Sequence, residues 1–255
     1  PKNLPFFSRM FYSKWMPFSY RVAKMIIADS ECTKNDIIEY LKISKEKIKV
    51  IHLAVSKEFS PRNQNEIEKI KAKYKISGKY FIDVGTIEPR KNLPFLMKAY
   101  AATVKSGIEE KLVITGKKGW YYEGLFRLVK ELNLENKVIF TGYADDIDIP
   151  ALYSGATALV FPSLYEGFGF TPLEAMACGT PVISSNTSSM PEVVADAGIL
   201  LQPKNEKKWA KEMIKISKDD KLREVLKNKG LKQAKNFTWE KTARETVRVY
   251  QEVLK

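Results

Sequence analysis

Two short segments of the sequence contain residues suited to holding a phosphorylated ligand. In the first, Arg90 and Lys91 follow Gly85, which permits a sharp turn at a strand end and the close approach of a ligand. Asn92 is a suitable helix cap and would leave both cations at a helix N-terminus. There a lysine charge, forked arginine donors and the helix dipole together suit a diphosphate. A pair of solvated surface cations before a helix explains this segment equally well.

The second segment is a glycine-rich loop around Glu166. An acidic residue in such a loop, here flanked by Tyr165 and Phe168, usually has a polar partner. Gly167 and Gly169 would expose backbone N–H groups just before the next helix, an arrangement that binds anions. We therefore expect this loop to contact a charged ligand.

The helix after this loop has a recognisable start. Thr171 stands in the cap position, Pro172 in the first helical position and Glu174 in the position that completes a capping box. Glu174 can thus be explained without any ligand. Seven residues separate it from Glu166, however, so the two carboxylates can also converge on one ligand lying over the loop.

Alternating strand and helix patterns must position these loops. The strands are apolar runs rather than alternating ones, as expected for a sheet that is covered on both faces. Repeated strand–helix units predict an α/β fold with a Rossmann-like, doubly wound parallel sheet. In such sheets ligands bind beyond the carboxyl ends of the strands, which places the site in the loops at residues 85–91, 116–120, 141–146 and 163–171. The predicted strands of this sheet are 80–84, 111–115, 137–140, 156–161, 181–184 and 198–201, after two short ones at 25–28 and 49–52.

Composition limits the kinds of partner. Forty-three Lys and Arg against 30 Asp and Glu give the 255-residue chain a formal net charge of +13. Such an excess favours phosphate-rich or anionic-membrane partners, but the lysines are interleaved with acidic residues, as on ordinary exposed helix faces. The sequence has neither a clustered basic stripe nor a recognition motif for nucleic acid, so we expect no nucleic-acid partner.

Cysteine and histidine usage argues against a metal site. Cys32 and Cys178 lie far apart and suit a reducing compartment, and His52 is the only histidine. A His-based metal site is therefore not expected, and a Ser-His-Asp triad would have to use His52. No stretch approaches the ~20 apolar residues that a membrane span needs.

The start of the chain is unusual for a free-standing domain. It begins at Pro1 rather than Met, and its first sixteen residues include Phe6, Phe7, Phe11 and Trp15. So much aromatic surface needs a partner or an interface. We expect a fragment of a longer protein, with this segment packed on the missing part.

Taken together, these segments resemble glycosyltransferase family 4, the retaining glycosyltransferases of GT-B fold. The resemblance rests on Glu166-x7-Glu174 within EGFGFTPLEAMACGTPVI and on the phosphate-binding loop VGTIEPRKNL. It extends from about Ile26 to the end of the chain and includes the helix that carries Trp239 and Tyr250. A lone pair of glutamates at this spacing is a weak signal, whereas the pair with the RKN loop in register is a strong one.

The resemblance implies a role for each matching residue. Lys91, aided by Arg90, would neutralise the donor diphosphate and the charge that develops on it, and Glu166 would bind the hydroxyls of the transferred sugar. Glu174 would accept from the ribose hydroxyls. Thr86 stands where some relatives carry an arginine, which makes the share carried by Arg90 less certain. The further residues expected to face the donor are Gly85, Thr86, Gly142, Tyr143, Gly167, Phe168, Gly169, Phe170 and Thr171, with Gly142 and Tyr143 facing the base.

The resemblance also implies an activity and an organisation. The expected reaction moves a hexose, mannosyl or glucosyl, from a UDP- or GDP-type sugar to a glycan or lipid-linked acceptor, without a metal or other cofactor. Residues 1–60 would be the end of the N-terminal, acceptor-side domain with a linker. Residues 61–255 would be the C-terminal nucleotide-sugar-binding domain with a final crossing helix. Without the missing N-terminal domain the fragment is expected to transfer poorly. The expected location is cytoplasmic, with peripheral contact at the inner membrane face.

Three other functions remain to be distinguished from this one. A sugar-nucleotide-binding module without catalysis would share the donor site. A GT-B epimerase would need additional acid and base residues, and a GT-B phosphorylase would need a lysine-bound pyridoxal cofactor. The sequence has no strong marker for the epimerase or the phosphorylase.

Overall fold

The computed structural model describes residues 11–119 and 122–255. Phe6 and Phe7, together with residue 120 at the end of the predicted loop 116–120, lie outside the described residues. The chain divides into two compact units, one formed by Pro1–Ala54 with Thr238–Lys255 and the other by Val55–Phe237. The sequence-based division came later, at residue 60, and kept the last helix with the second domain. Assignment of the first unit to an acceptor-side domain stays a prediction.

The first unit contains a small parallel sheet. Strand β1 (Ile26–Ala28) pairs with β2 (Ile48–Val50), and Ile26, Ile37 and Ile48 are buried in its core. The intervening helix begins where Ser30 Oγ accepts a hydrogen bond from the backbone N–H of Thr33, at 3.0 Å. Such a side-chain cap satisfies one of the free N–H groups at a helix start.

The last helix, Trp239–Leu254, belongs to this first unit. Its N-cap is Thr238, and Thr242 Oγ1 donates to the carbonyl of His52 at 2.7 Å. Lys49 and Glu252 form an exposed ion pair at 3.3 Å. These contacts connect the end of the chain to the segment that contains β2.

The second unit is built on a six-stranded parallel sheet in the order β5-β4-β3-β6-β7-β8. The chain winds outward from β3 in one direction and then from β6 in the other, which is the doubly wound arrangement of Rossmann-like folds. The strands are β3 (Tyr80–Val84), β4 (Lys111–Thr115), β5 (Val138–Gly142), β6 (Ala158–Phe161), β7 (Val182–Ser185) and β8 (Ile199–Leu201). The predicted fold class is confirmed.

Helices cover both faces of this sheet, because its strands carry apolar residues on both faces and these residues must be removed from water. Trp209 is fully buried and its ring meets that of Phe95 edge-on, with centroids 5.7 Å apart. In chain order the α-helices are α1 (Met16–Val22), α2 (Glu31–Leu41), α3 (Gln64–Lys73), α4 (Leu93–Lys105), α5 (Tyr122–Glu131), α6 (Ile149–Ser154), α7 (Phe170–Ala177), α8 (Met190–Val194), α9 (Glu206–Lys218), α10 (Asp220–Ala234) and α11 (Trp239–Leu254). Shorter helical turns occupy Phe11–Trp15, Lys45–Lys47, Pro89–Lys91 and Ala195–Ala197.

Within the described ranges, none of these helices is long and apolar enough to cross a bilayer.

Candidate active site

A wide cleft of the second unit opens at the carboxyl ends of its central strands. It has a volume of about 780 Å³. Its walls include the residues that directly follow β3, β4 and β5, together with Glu174 of α7. Strands β3 and β6 are neighbours at the point where the winding direction reverses, and ligands bind at that point in doubly wound sheets. The residues of this wall that matter below are Arg62, Gly85, Thr86, Gly116, Lys117, Tyr143, Asp146 and Glu174.

Lys91 and Glu166 meet beside this cleft. Lys91 Nζ lies 2.8 Å from Glu166 Oε1, and the lysine is only 5% exposed. Ser163 Oγ donates to the same carboxylate oxygen at 2.7 Å. Burial opposes ionisation of Glu166, but Lys91, Ser163 and Arg90 outweigh it and hold the pKa of Glu166 below its ordinary value. Glu166 is therefore a fixed negative charge, and the expectation that it has a polar partner is confirmed.

Arg90 approaches Glu166 from a more exposed position. Its Nη1 lies 2.5 Å from Glu166 Oε2, and its Nε lies 2.6 Å from Glu88 Oε1. Nη1 also donates to the carbonyl of Tyr165 at 3.2 Å. Arg90 is thus a paired cation at the rim of the site rather than a solvated one, whereas the buried Lys91 is the inner cation.

Glu174 has a different environment, because its nearest partner is a hydroxyl. The Tyr153 hydroxyl donates to Glu174 Oε2 at 3.1 Å. Burial raises the pKa of Glu174, although this hydrogen bond and the charge of Lys91 oppose the shift. Glu174 lines the cleft with a carboxylate whose hydrogen-bonding capacity is only partly used by the protein.

The predicted capping box at the start of α7 was wrong. The helix begins at Phe170, two residues earlier than predicted, and the N-cap residue is Gly169 with φ 118° and no side-chain cap. Thr171 therefore lies inside the first turn, and Glu174 lies beyond the position that could reach back to the cap. The explanation of Glu174 without a ligand, which depended on that box, no longer applies.

The prediction that the Asn92 side chain caps α4 was also wrong. Asn92 does occupy the N-cap position, but its φ is 58° and its side chain caps no helical N–H group. Its amide donates instead to the carbonyls of Pro162 and Pro203, at 3.3 and 3.1 Å. Asn92 thereby fastens the loop that carries the two cations to the segments after β6 and β8.

Two glycines allow the walls of the cleft to come together. Lys91 lies directly over Gly85, whose φ is 151°, so that a Cβ atom there would lie 2.9 Å from Lys91 Cε. A Cβ atom on Gly116 would collide with the carbonyl of Gly85. Glycine at both positions is therefore required for the close packing of the two loops and of the lysine stem.

The other predicted donor residues have different surroundings. Thr86 and Tyr143 line the cleft, whereas Gly142 lines a smaller neighbouring pocket of about 340 Å³. Lys117 Nζ lies 5.0 Å from the centre of the Tyr143 ring. The Tyr143 hydroxyl donates to Asp146 at 3.0 Å. An aromatic ring with cationic and anionic neighbours is suited to contact a nucleobase.

The loop after β6 is held by packing as much as by polar contacts. The Phe168 side chain is buried and packs edge-on against Phe170 and Phe237. A Cβ atom on Gly169 would lie 2.6 Å from Met190 Cε. The side chain of Phe168 is thus part of the core, and only its backbone could face a donor. Phe170 is 41% exposed.

The sequence analysis missed Arg62 and Asp83. Arg62 lines the cleft as a further cation, and its Nη2 donates to the carbonyl of Glu58 at 2.7 Å. Arg62 lies just before helix α3, and it is not part of any recognisable sequence motif. Asp83 lies inside the apolar run of β3 and is 1% exposed. The strand that contains Asp83 was predicted correctly from its apolar residues. Asp83 was overlooked, because one polar residue does not change that apolar pattern.

Among the residues that the structure describes, no group of three or more His, Cys, Asp or Glu side chains is placed to hold a metal ion.

Fold and site together define a Rossmann-like α/β domain with paired charges at its topological switch point. Residues 65–233 match the family model of glycosyl transferases group 1, and the chain belongs to this family. The sequence-based recognition of a glycosyltransferase is therefore confirmed.

Individual relatives are similar over most of the chain. It is 36% identical to O-antigen chain mannosyltransferase B of Escherichia coli over 89% of this chain and 60% of that protein. It is 32% identical to the serotype-specific mannosyltransferase WbdA of Escherichia coli, over 94% of this chain and 30% of that protein. Sucrose-phosphate synthase from Thermosynechococcus elongatus has a similar structure, with a TM-score of 0.81 at 25% identity over 94% of this chain and 60% of that one. The chain thus spans less than two thirds of the length of each of these proteins.

Proposed function

We propose that this chain is the donor-binding part of a retaining glycosyltransferase, which moves a hexose from a nucleoside-diphosphate sugar to a glycan or lipid-linked acceptor. The observation that carries the proposal is the meeting of Lys91, Arg90 and Glu166 at the switch point of the sheet, beside a cleft that Glu174 also lines. The family to which the chain belongs supports the same reaction class.

The charges suit the departure of a nucleoside diphosphate. The Lys91 ammonium has three N–H donors, one of which contacts Glu166, so it can also hold a phosphate oxygen. Arg90 offers forked donors from the rim. As the bond to the sugar breaks, negative charge grows on the diphosphate, and fixed cations stabilise charge where it develops.

Glu166 would bind the sugar in the same step. Because Ser163 and Lys91 fix its carboxylate, Glu166 can accept hydrogen bonds from sugar hydroxyls without reorganising. Glu174 would accept from the ribose hydroxyls, and Gly142 with Tyr143 would face the base. Retention would follow from front-side attack through an oxocarbenium-like state.

The donor is proposed to be a GDP- or UDP-hexose, with mannose favoured. The support for mannose is the similarity to two mannosyltransferases, one of which acts on O-antigen chains by its name. The net charge of +13 supports a lipid-linked acceptor and peripheral contact at the inner, cytoplasmic membrane face. The protein requires no metal or other cofactor in this proposal.

Calorimetric titration of the purified protein with UDP, GDP and ADP tests the proposal. We expect one nucleotide to bind, and Lys91→Ala and Glu174→Ala each to weaken that binding at least tenfold. Lys98→Ala, at an exposed lysine of α4, is the matched control and should bind like the wild type. If no nucleotide binds, or if both site variants bind as tightly as the wild type, the proposed function is wrong.

A further inference from the structure

Asp83 is a buried carboxyl to which the proposed transfer assigns no role. Neither of its oxygens has a hydrogen-bond partner among the described residues, and the side chain is almost fully removed from solvent. A buried polar group without a partner is costly, and an unpaired charge in such a place is more costly still. A residue of this kind in a central strand needs an explanation beyond packing.

Asp83 lies near the inner cation of the site, since the charge of Lys91 acts on its carboxyl. Gly85 follows β3 and continues its hydrogen bonding to β4, and side chains two residues apart in extended backbone share a face of the sheet, so Asp83 and Gly85 face the same side. The Lys91 stem lies over Gly85 on that side. The neighbour of Asp83 on β4 is the apolar Ile114, which offers no hydrogen bond.

The charged and titratable groups around Asp83 come from three segments. Lys91 acts on it from the turn before α4, Glu166 from the loop after β6, and Tyr153 from α6. Tyr153 in turn donates to Glu174 of α7. Burial raises the pKa of Asp83 to about 7, with Lys91 opposing the shift and Glu166 adding to it.

The charge balance of the site makes the state of Asp83 matter to a donor. Lys91 and Arg90 are already opposed by the Glu166 carboxylate. A nucleotide sugar adds a diphosphate with two further negative charges. An ionised Asp83 behind Lys91 would repel that diphosphate in a poorly screened interior, whereas a protonated Asp83 would not.

We propose that Asp83 is a positioning residue of the donor site that acts through Lys91, and that the donor binds to the form in which Asp83 is protonated. Donor binding then takes up a proton, and donor affinity falls as the pH rises through neutrality. The inference rests on the proposed function, because it presumes a diphosphate beside Lys91.

Calorimetry on the wild-type protein measures the proton uptake directly. GDP-mannose and UDP-glucose are titrated at pH 7 in two buffers with different ionisation enthalpies, so that any proton taken up changes the apparent binding enthalpy. Sugar nucleotides are the appropriate probes, since the terminal phosphate of a free nucleoside diphosphate itself titrates near pH 6. We expect uptake of about half a proton at pH 7 and affinity about tenfold weaker at pH 8 than at pH 6.

Two variants assign the effect to Asp83. Asp83→Asn should bind the donor with nearly the same affinity from pH 6 to pH 8, and without proton uptake. Glu123→Gln, at an exposed residue of α5, should keep the wild-type pH profile. If Asp83→Asn does not fold, Glu174→Gln, which removes the other buried carboxyl with a raised pKa, should keep the wild-type proton uptake, and loss of that uptake would overturn the inference.

The outcomes separate this inference from the proposed function. Binding of a sugar nucleotide with no proton uptake and a flat pH profile would overturn the inference alone. A pH profile that Asp83→Asn leaves unchanged would also overturn it and would indicate Glu174, the other buried carboxyl with a raised pKa. Failure of both sugar nucleotides to bind at any pH would overturn the proposed function and this inference with it.

Discussion

The Lys91 ammonium and the Glu166 carboxylate are 75 residues apart in sequence and 2.8 Å apart in the structure. The parallel sheet brings them together, because Lys91 follows β3, Glu166 follows β6, and these two strands are neighbours. The pair thus combines a buried cation for a phosphate with a fixed carboxylate for a sugar.

Replacing Glu166 should separate the two halves of donor recognition. In Glu166→Gln the sugar loses a charged acceptor, but Lys91 and Arg90 lose a competing partner. We expect binding of the sugar nucleotide to weaken about tenfold and binding of the matching nucleoside diphosphate to stay equal or become tighter. Calorimetric titration with both ligands measures the difference, and Glu123→Gln is the control. Parallel loss of both affinities would contradict the assignment of Glu166 to the sugar.

A methyl group at Gly85 should displace the inner cation. The Cβ atom of Gly85→Ala would lie 2.9 Å from Lys91 Cε, and the backbone φ of 151° is unfavourable for alanine. We expect nucleotide affinity to fall at least tenfold. In Gly124→Ala the new Cβ meets nothing within 4 Å at an exposed position of α5, so this control should bind normally and gain up to about 1 kcal/mol of stability. Wild-type nucleotide affinity in Gly85→Ala would show that the position of Lys91 does not matter.

The hydrogen bond from Tyr153 to Glu174 should affect binding and not stability alone. Tyr153→Phe removes the hydroxyl that donates to that carboxylate, which we expect to weaken nucleotide binding about threefold to tenfold, as for a single hydrogen bond. Tyr100→Phe removes a buried hydroxyl that donates to the carbonyl of Glu110, away from the cleft. It should lower the melting temperature without changing affinity. Equal effects of both variants on affinity would argue against a role of Glu174 in the site.

Asp83 should make stability depend on pH even without a donor. Because burial raises its pKa to about 7, the folded state binds its proton more tightly than the unfolded state. The stabilisation by that proton is complete below the unfolded pKa near 4 and is lost as the pH rises towards 7. The wild type should therefore lose stability between pH 5 and pH 8, and Asp83→Asn should not. The free energy of unfolding of Asp83→Asn minus that of the wild type should accordingly be greater at pH 8 than at pH 5, by on the order of 2 kcal/mol. Urea denaturation at both pH values measures this, and a pH-independent difference would contradict the raised pKa.

The sheet could be predicted from the sequence because buried parallel strands are continuous apolar runs. The bounds of β3 and β4 were predicted to the residue, and those of the other strands in the second unit to within two residues. The helix start at Phe170 was missed since a Thr-Pro-x-Glu pattern also fits a capping box, whereas the tertiary contact of Glu174 with Tyr153 was not visible locally.

The residues of the site were easier to predict than their mutual contacts. Lys91 and Glu166 were recognised from the segments around them, but nothing in either segment indicates that the two side chains bind each other. Asn92 was assigned to a helix cap, although its amide bonds to two distant carbonyls. Asp83 was overlooked, because a single carboxylate within an apolar strand does not change the strand pattern. Contacts between distant segments depend on the sheet order, which local patterns do not encode.

A crystal structure of the protein with GDP or UDP bound would test the central claim most directly. The proposal predicts the nucleotide in the cleft at the ends of β3, β4 and β5, with a diphosphate oxygen within hydrogen-bonding distance of Lys91 Nζ and a ribose hydroxyl on Glu174. A nucleotide bound elsewhere on the chain, or one in the cleft that contacts neither side chain, would contradict the claim.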